Sequence, residues 1–362
     1  MPRNPAEQGR RRSAVSSDRR PAFDALRRSA LKLGVPIFAA WEATYRCPLS
    51  CRHCYLGREP ARNVRELTLA ESGEMLRQMA RMGVLFLTIT GGEPLLRDDF
   101  FEIVDEARRL RFSWRLYTSA TLIDGERARL IAKRKPLAVD VSLHGLEDTH
   151  DWMTRVPGSF RKATAAIRVL ASLGVTVNVK MNLTPRGMAD LSGLRRLCED
   201  LGATQKTWTA LYPERDGRPV ARELVLSEDQ LRECYAELDR DRPGCYGRAG
   251  APGPEDALCG AGRNSLAVSP GGDVRACMGL GESCGNVRES SLEDIWLSPE
   301  MAAYRKITAG DRPGCRDCED AEFCFFCMQL AEKETADPLG APPTACREAT
   351  IRRELFGGAA GP

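Results

Sequence analysis

Three cysteines, Cys47, Cys51 and Cys54, stand within eight residues in a CxxxCxxC spacing, after the apolar run 37–41. Thiolates this close together on one loop converge on a single soft metal centre. Three protein ligands satisfy three irons of a cubane cluster and leave the fourth iron open to a cofactor or substrate, as in catalytic zinc sites. The alternative is a structural zinc site completed by His53 or a distant cysteine, although zinc-binding cysteines normally come as two separated pairs.

The composition is that of an ordinary globular protein. The 362 residues suffice for one large domain and a smaller one, and the hydrophobic content is 43%. A net charge of +3 gives no case for nucleic-acid binding. No apolar run approaches the roughly 18 residues that span a membrane, and no export signal follows the basic start. We therefore predict a cytoplasmic protein.

The chain has fourteen cysteines, most of which fall in two groups, one near residue 50 and one from Cys259 to Cys346. In a reducing cytosol, clustered cysteines indicate metal sites rather than disulfides. The sequence therefore predicts two metal-bearing regions.

Segments typical of strands and helices alternate from residue 37 onward. The predicted strands are 37–44, 84–90, 113–118, 137–143, 175–182 and 204–211. The clearest helices are 69–82, capped by Thr68 and Glu71, and 160–173, capped by Ser159. This alternation implies right-handed crossovers and a parallel sheet, and six units predict an α/β fold of the partial (β/α)6 TIM-barrel type. The cysteine loop would then leave the C-terminal end of the first strand, where barrel enzymes carry their chemistry.

Gly91-Gly92-Glu93-Pro94 follows the second predicted strand. Glycines there permit close backbone approach to a ligand, and a rigid proline fixes the exit of the chain. Alone, the motif is also compatible with an ordinary strand-to-helix turn. Together with CxxxCxxC and the aromatic Tyr55, however, it resembles the radical S-adenosylmethionine (radical SAM) enzymes over residues 37 to 350. The resemblance implies that Cys47, Cys51 and Cys54 hold a catalytic 4Fe-4S cluster. It also implies that the GGEP loop binds the amino group of S-adenosylmethionine.

Weaker matches to the family imply further cofactor contacts. Ser119 ends the third predicted strand, although Ser119-Ala120 departs from the family's usual Thr-Asn-Gly. Ser142 matches a residue that contacts the ribose or carboxylate, and His144 stands where the family more often has Asp. The family pattern also implies that Arg155 pairs with the carboxylate of the cofactor. Lys180 and Asn182 point inward on the fifth strand and are candidates for the ribose or adenine.

The second cysteine group begins at a predicted hairpin over 265–277, turning at Pro270-Gly271-Gly272-Asp273. Its cysteine order resembles the SPASM extension, which carries auxiliary iron–sulfur clusters. The resemblance implies one cluster on Cys259, Cys277 and Cys327, and a second on Cys315, Cys318, Cys324 and Cys346. The fourth ligand of the first cluster is Cys284 or Cys245, or the fourth iron has no protein ligand; the sequence leaves these alternatives undecided. A zinc ribbon on Cys315, Cys318, Cys324 and Cys327 is the alternative.

These observations divide the chain into four parts. We predict a basic, partly disordered tail (1–36), a radical SAM core (37–245), a SPASM domain (246–350) and a C-terminal tail (351–362). A basic arm that docks an acidic leader peptide or nucleic acid is the alternative for the first part. The first 36 residues are too short for a winged peptide-recognition domain, so leader binding would need a separate protein or none.

The resemblance implies reductive cleavage of S-adenosylmethionine to a 5′-deoxyadenosyl radical that abstracts hydrogen from the substrate. The leading hypothesis is a maturase that modifies a ribosomally made peptide by forming a thioether or crosslink or by oxidation. The alternative is a small-molecule enzyme of cofactor or haem biosynthesis. A reductant such as flavodoxin or ferredoxin is expected as partner. A non-catalytic metal-binding scaffold is disfavoured by the intact CxxxCxxC and GGEP motifs.

Overall fold

The computed structural model of the chain describes residues 20–57, 64–241 and 251–358. One nine-stranded sheet runs through the molecule. Its strands are β1 (Phe38–Thr44), β2 (Phe86–Gly91), β3 (Ser113–Thr118), β4 (Ala138–Ser142), β5 (Val177–Asn182), β6 (Thr204–Trp208), β7 (Ser265–Val268), β8 (Asp273–Arg275) and β9 (Gly285–Asn286).

Helices follow most of the strands. The α-helices are α1 (Arg20–Leu33), α2 (Leu69–Arg81), α3 (Phe100–Arg109), α4 (Gly125–Lys133), α5 (Glu147–Thr154), α6 (Ser159–Ser172), α7 (Leu191–Asp200), α8 (Glu228–Asp241), α9 (Leu292–Leu297), α10 (Pro299–Lys306), α11 (Met328–Thr335) and α12 (Pro343–Phe356). Short 3₁₀-helices lie at Pro94–Leu96, Pro185–Asp190, Arg222–Leu224, Ala309–Asp311, Pro313–Cys315 and Ala321–Phe323. None of the described helices is both long and apolar enough to cross a membrane.

The strand order confirms the predicted α/β fold. Strands β1 to β6 lie side by side in chain order and all pairs are parallel. The described sheet does not close, since β6 lies at one edge and β9 at the other. One face of its central strands is buried, with Trp41, Leu116 and Val141 inaccessible to solvent, whereas burial alternates along β2 and β3. In barrel-type folds the crossover helices cover one face of the sheet.

The predicted strands and helices are present, with ends that differ by a few residues. The largest difference is β6, which ends at Trp208 rather than at residue 211. Thr68 and Glu71 form the predicted capping box of α2. The prediction that Ser159 caps α6 is wrong, because the N-cap residue is Gly158, with a φ of 80°. The backbone N–H groups of Gly158 and Phe160 donate instead to the carboxylate of Asp151, at 2.6 and 2.9 Å.

Both predicted tails contain ordered helix in the described part of the chain. Helix α1 occupies residues 20–33 of the first segment, whereas residues 1–19 lie outside the described structure. The C-terminal tail predicted from residue 351 begins too early, because α12 continues to Phe356 with Ile351 and Arg352 buried. The predicted domain boundary at 245/246 and Cys245 also lie outside the described residues.

The cysteine-rich segment is joined to the core through the sheet itself. Strand β7 pairs in parallel with β1, and the predicted hairpin is present as the antiparallel pair β7–β8. Arg288 strengthens this junction: it donates to the Glu71 carboxylate of α2 at 2.7 Å and to the carbonyls of Gly271 and Glu66 at 2.7 and 3.1 Å. The two C-terminal hairpin strands therefore extend the core sheet.

We expect Glu71→Gln to destabilise the protein by about 1 kcal/mol at pH 7, the scale of a well-ordered ion pair near the surface. The one oxygen of glutamine still accepts the capping-box hydrogen bond from the backbone of Thr68, so the change removes the charge that faces Arg288 and the oxygen that accepts from its Nε. Hydrogen bonding from Arg288 lowers the pKa of Glu71 from 4.5 to about 2. A carboxyl with a lowered pKa in the folded state stabilises above its unfolded pKa, and this contribution is lost as the pH falls through about 2.

The measurement is urea unfolding of both proteins at pH 7 and at several values between pH 5 and 2. Glu74→Gln is the control, because Glu74 lies on the same helix but pairs with Arg77 and Arg81 on the exposed face. A stability difference for Glu71→Gln that did not shrink toward low pH would contradict the role of the charge.

Candidate functional site

The cysteine loop leaves the C-terminal end of β1, as predicted. Its backbone is anchored to the end of α5, since the N–H groups of Ser50 and Arg52 donate to the carbonyls of Thr154 and Met153 at 3.2 and 2.9 Å. The N–H of Cys54 donates to the carbonyl of Cys51 at 3.2 Å, which turns the loop back on itself. The loop is therefore held by the end of α5 and by its own turn.

Gly91 and Gly92 press directly against this loop. The N–H of Gly92 donates to the carbonyl of Thr44 at 2.7 Å, and that of Glu93 donates to the carbonyl of Arg46 at 2.9 Å. A Cβ at Gly91 would lie 2.1 Å from the Thr44 oxygen, and one at Gly92 would lie 2.3 Å from the Arg46 oxygen. Only glycine fits at these two positions.

Glu93 is fully buried behind the glycines. Its carboxylate accepts hydrogen bonds from the hydroxyl of Thr118 at 2.8 Å and from the N–H and hydroxyl of Ser119 at 2.8 and 2.6 Å. Burial raises the pKa of Glu93, and these hydrogen bonds partly offset that effect. Glu93 therefore fixes the end of β3 beside the glycine loop.

A cavity of about 330 Å³ opens between these loops, a size within the range of small-molecule sites. Most of the predicted cofactor residues line it. They are Cys47, Cys51, Cys54, Tyr55, Gly91, Gly92, Ser119, Ser142, Lys180 and Asn182. Three predicted residues do not: Glu93 and Pro94 are buried behind the lining, and Arg155 is exposed at the end of α5, where its φ is 59°.

One cluster at the cavity consists of Lys180 and two aromatic rings. The Lys180 ammonium lies over the rings of Tyr117 and Trp208, at 3.7 and 4.8 Å from their centroids. Such stacking holds a cation in place without neutralising it. Lys180 is therefore a fixed positive charge at the C-terminal end of β5.

The histidine cluster consists of His53, His144 and His150, all of which line the cavity. The rings of His53 and His144 meet edge to face at 4.4 Å, and those of His144 and His150 stack at 5.8 Å. Burial lowers the pKa of His53 and of His150 to about 4 and that of His144 well below its usual value. These imidazoles are neutral at pH 7, so this side of the cavity lining is uncharged.

The lining residues that the sequence did not indicate include Tyr212, Met278, Gly279 and Gln329. Tyr212 follows β6, and the others belong to the cysteine-rich segment. Gln329 lies against Gly279 so closely that a Cβ at residue 279 would be 1.6 Å from its Cδ. No local pattern marks Met278, Gly279 and Gln329, because their position depends on how the C-terminal segment packs on the core.

Comparison with known proteins identifies the family. The model of the radical SAM superfamily matches residues 41–189, and the model of the SPASM iron–sulfur cluster-binding domain matches residues 259–319. The mycofactocin maturase MftC of Mycolicibacterium smegmatis is 30% identical to this chain, over 87% of this chain and 84% of that protein. The chain belongs to the radical SAM superfamily. It is accordingly an enzyme that uses 4Fe-4S clusters and S-adenosylmethionine.

Other relatives of this radical SAM enzyme are named for different substrates or products. The PqqA peptide cyclase of Bradyrhizobium diazoefficiens is 27% identical, over 91% of both chains. The AdoMet-dependent heme synthase of Methanosarcina barkeri is 27% identical, over 85% of this chain and 95% of that protein. Among solved structures, Streptococcus suis SuiB bound to its precursor peptide SuiA has the same fold, with a TM-score of 0.67 and 19% identity over 92% of this chain and 82% of SuiB.

The thiols present fit iron–sulfur clusters. The described cysteines are in the thiol form, and none is in a disulfide. Burial raises the pKa of Cys51, and the neighbouring thiols of Cys54 and Cys47 raise it further, so these three lie together. Within the described ranges, no three His, Cys, Asp or Glu side chains are arranged as the ligands of a single metal ion.

The C-terminal thiols lie in two sets. Burial raises the pKa of Cys277 to about 11, and the thiols of Cys327 and Cys259 contribute to that rise. In the other set, Cys324 interacts with Cys346 and Cys315, and Cys346 interacts with Cys315 and Cys318. Cys284 is buried, and its strongest charged neighbours are Glu300, Glu282 and Arg275 rather than thiols. The SPASM model matches a segment that ends before Cys324, Cys327 and Cys346.

A buried ion pair ties the cysteine loop to the SPASM domain. Glu42 of β1 is 1% exposed, and both of its carboxylate oxygens accept from Nη2 of Arg215, at 2.7 and 2.6 Å. The hydroxyls of Tyr55 and Tyr45 also donate to Glu42, at 2.7 and 3.1 Å. Nη2 of Arg215 also donates to the carbonyl of Met278 at 3.3 Å. Burial of the Arg215 guanidinium lowers its pKa, but the neighbouring Glu42 carboxylate raises it, and the net effect is a raised pKa.

We expect Arg215→Met to destabilise the protein by about 3–5 kcal/mol, because it leaves the Glu42 carboxylate buried and unpaired. The double variant Glu42→Gln/Arg215→Met should regain more than half of that loss, since the buried charge is gone. Both values come from urea unfolding of the anaerobically reconstituted enzyme.

The matched control is Arg161→Met, which removes an exposed ion pair with Glu147 at 2.6 Å. An exposed pair contributes about 1 kcal/mol or less. If Arg215→Met lowered the free energy of unfolding by no more than Arg161→Met does, the buried Glu42 carboxylate would not need Arg215 as its partner.

Proposed function

We propose that this radical SAM enzyme modifies a peptide, in the manner of a maturase of ribosomally made peptides. The main support is that one cavity is lined both by the CxxxCxxC loop and by residues of the SPASM domain. A substrate in this cavity would lie between the catalytic cysteines and the C-terminal thiols.

In this proposal Cys47, Cys51 and Cys54 hold the catalytic cluster, whose chemistry when bound is one-electron reductive cleavage of S-adenosylmethionine to methionine and a 5′-deoxyadenosyl radical. Gly91 and Gly92 bring bare backbone to the cofactor, and Glu93 acts behind them by fixing Ser119. Ser142, Asn182 and the cation of Lys180 face the cavity and supply polar contacts. Tyr55 supports the loop through Glu42.

Cys259, Cys277 and Cys327 would hold one auxiliary cluster, and Cys315, Cys318, Cys324 and Cys346 a second. Arg155 has no part in this assignment, since it is exposed away from the cavity lining. Cys284 is not proposed as a ligand. Binding of iron displaces the proton of each ligating thiol, so cluster assembly would release protons.

A peptide is the favoured substrate class because two of the relatives named above are a maturase and a peptide cyclase. The second candidate is a small-molecule reaction of haem or cofactor biosynthesis, favoured by the full-length similarity to a heme synthase. The cavity volume suits a small molecule or one side chain of a peptide. A flavodoxin or ferredoxin reductant and a separate leader-binding protein stay predictions.

After anaerobic reconstitution we expect about twelve irons per chain, falling to about eight in the triple Cys47/Cys51/Cys54→Ala variant. The triple variant should form no 5′-deoxyadenosine from S-adenosylmethionine and dithionite, whereas Cys315→Ala should still form it. Iron, sulfide and zinc analysis and mass spectrometry of the nucleoside are the measurements. A measured content of about four irons and one zinc per chain would show that the C-terminal cysteines hold a structural zinc ion rather than auxiliary clusters.

The substrate class is tested by incubating the enzyme with short peptides encoded beside its gene and, in parallel, with iron-containing porphyrin precursors. A mass change in a peptide that requires both S-adenosylmethionine and the intact CxxxCxxC motif supports the proposal. Conversion of a porphyrin with every peptide unchanged would overturn it in favour of the second candidate.

Gly279→Ala should raise the KM for the peptide about fivefold, the scale of one lost hydrogen bond. The atoms nearest to the added methyl group all belong to the flexible end of Gln329, so we expect the fold to persist while the amide is displaced from the cavity. Gln329→Ala should have the same effect, and the affinity for S-adenosylmethionine should not change.

Gly281→Ala is the control, because a Cβ there makes ordinary contacts at 3.4 Å or more. Equal KM values for the Gly279→Ala, Gly281→Ala and parent enzymes would show that Gln329 does not contact the substrate.

A further inference from the structure

Tyr212 lies between the cavity and the first set of C-terminal thiols. Its ring lines the cavity, and its hydroxyl donates a hydrogen bond to Sγ of Cys327 at 3.8 Å. Cys327 in turn lies beside Cys259 and Cys277. The phenol therefore comes from the core but contacts a thiol of the SPASM domain.

The backbone on both sides of Tyr212 is held in place. The side chain of Leu211 is buried in a small cluster with Met153 and Leu224. Three residues beyond Tyr212, Arg215 is fixed by its ion pair with Glu42. Since neither neighbour is free to shift, the position of the phenol relative to Cys327 is determined by the core.

A phenol hydroxyl is a hydrogen-bond donor, and that of Tyr212 is placed to donate to the Cys327 sulfur. Hydrogen bonds to cysteine sulfur are one of the means by which a protein sets the potential of an iron–sulfur cluster. A donor stabilises the reduced cluster more, because the reduced cluster carries the additional negative charge.

We propose that Tyr212 is a positioning residue that raises the reduction potential of the auxiliary cluster on Cys259, Cys277 and Cys327 by donating to the Cys327 sulfur. This inference rests on the cluster assignment given above but not on the substrate being a peptide. It assigns to a residue of the core loop a function in the redox chemistry of the SPASM domain.

The test is an anaerobic redox titration of the fully loaded enzyme with dithionite, followed by electron paramagnetic resonance. The signal of this cluster is identified as the one that Cys259→Ala removes. Tyr212→Phe should lower its midpoint potential by about 59 mV, equivalent to a tenfold change in the one-electron equilibrium. The other two clusters should keep their potentials.

A second variant makes the opposite prediction. Replacement of Tyr212 by 3-fluorotyrosine keeps the shape of the side chain but makes the phenol a stronger donor, so the potential should rise. Tyr117→Phe is the control, because Tyr117 lines the same cavity but packs on Lys180.

An unchanged potential in both Tyr212 variants would overturn the proposal. If Tyr212→Phe fails to load the cluster, the fluorotyrosine variant decides: a raised potential supports the proposal, and an unchanged one assigns Tyr212 a structural role only. Absence of the Cys259-dependent iron from the parent enzyme would instead refute the cluster assignment itself.

Discussion

The buried pair of Glu42 and Arg215 is the constraint on which the site depends. A carboxylate on an interior strand is unfavourable unless it is paired and hydrogen-bonded. Here the guanidinium that pairs with it comes from the loop after β6 and also reaches a SPASM carbonyl, while Tyr55 holds the end of the cysteine loop. One charge on β1 therefore places three separate segments around the same cavity.

The fold was largely predictable because its signals are local. Strand and helix periodicity, the capping box at Thr68 and the turn at Pro270 each depend on a few neighbouring residues. Prediction failed where a distant group replaced the local one. Asp151, from the preceding helix, provides the cap of α6 that Ser159 was expected to form. The C-terminal helix extends into the predicted tail because Arg352 is buried against Tyr235 and Glu348.

The same distinction applies to the site. The cysteines and the two glycines belong to short motifs, and the structure brings them together. Arg155 was assigned from the family pattern, but it is exposed at the left-handed turn that ends α5 and does not line the cavity. Gln329 could not be found from the sequence, because it reaches the cavity only when the SPASM domain has packed on the core, and Tyr212 lies in the irregular loop after β6, which carries no motif.

The pairing of β7 with β1 has a consequence for the order of assembly during synthesis. Strand β1 carries the cysteine loop, yet one of its two edges remains unpaired until residues 265–268 have been made. At about 5–20 residues per second, ribosomes leave that edge exposed for roughly ten seconds or more. An open strand edge invites pairing with other chains. Nascent chains are therefore most vulnerable to aggregation in this interval, and truncation before β7 would make that vulnerability permanent.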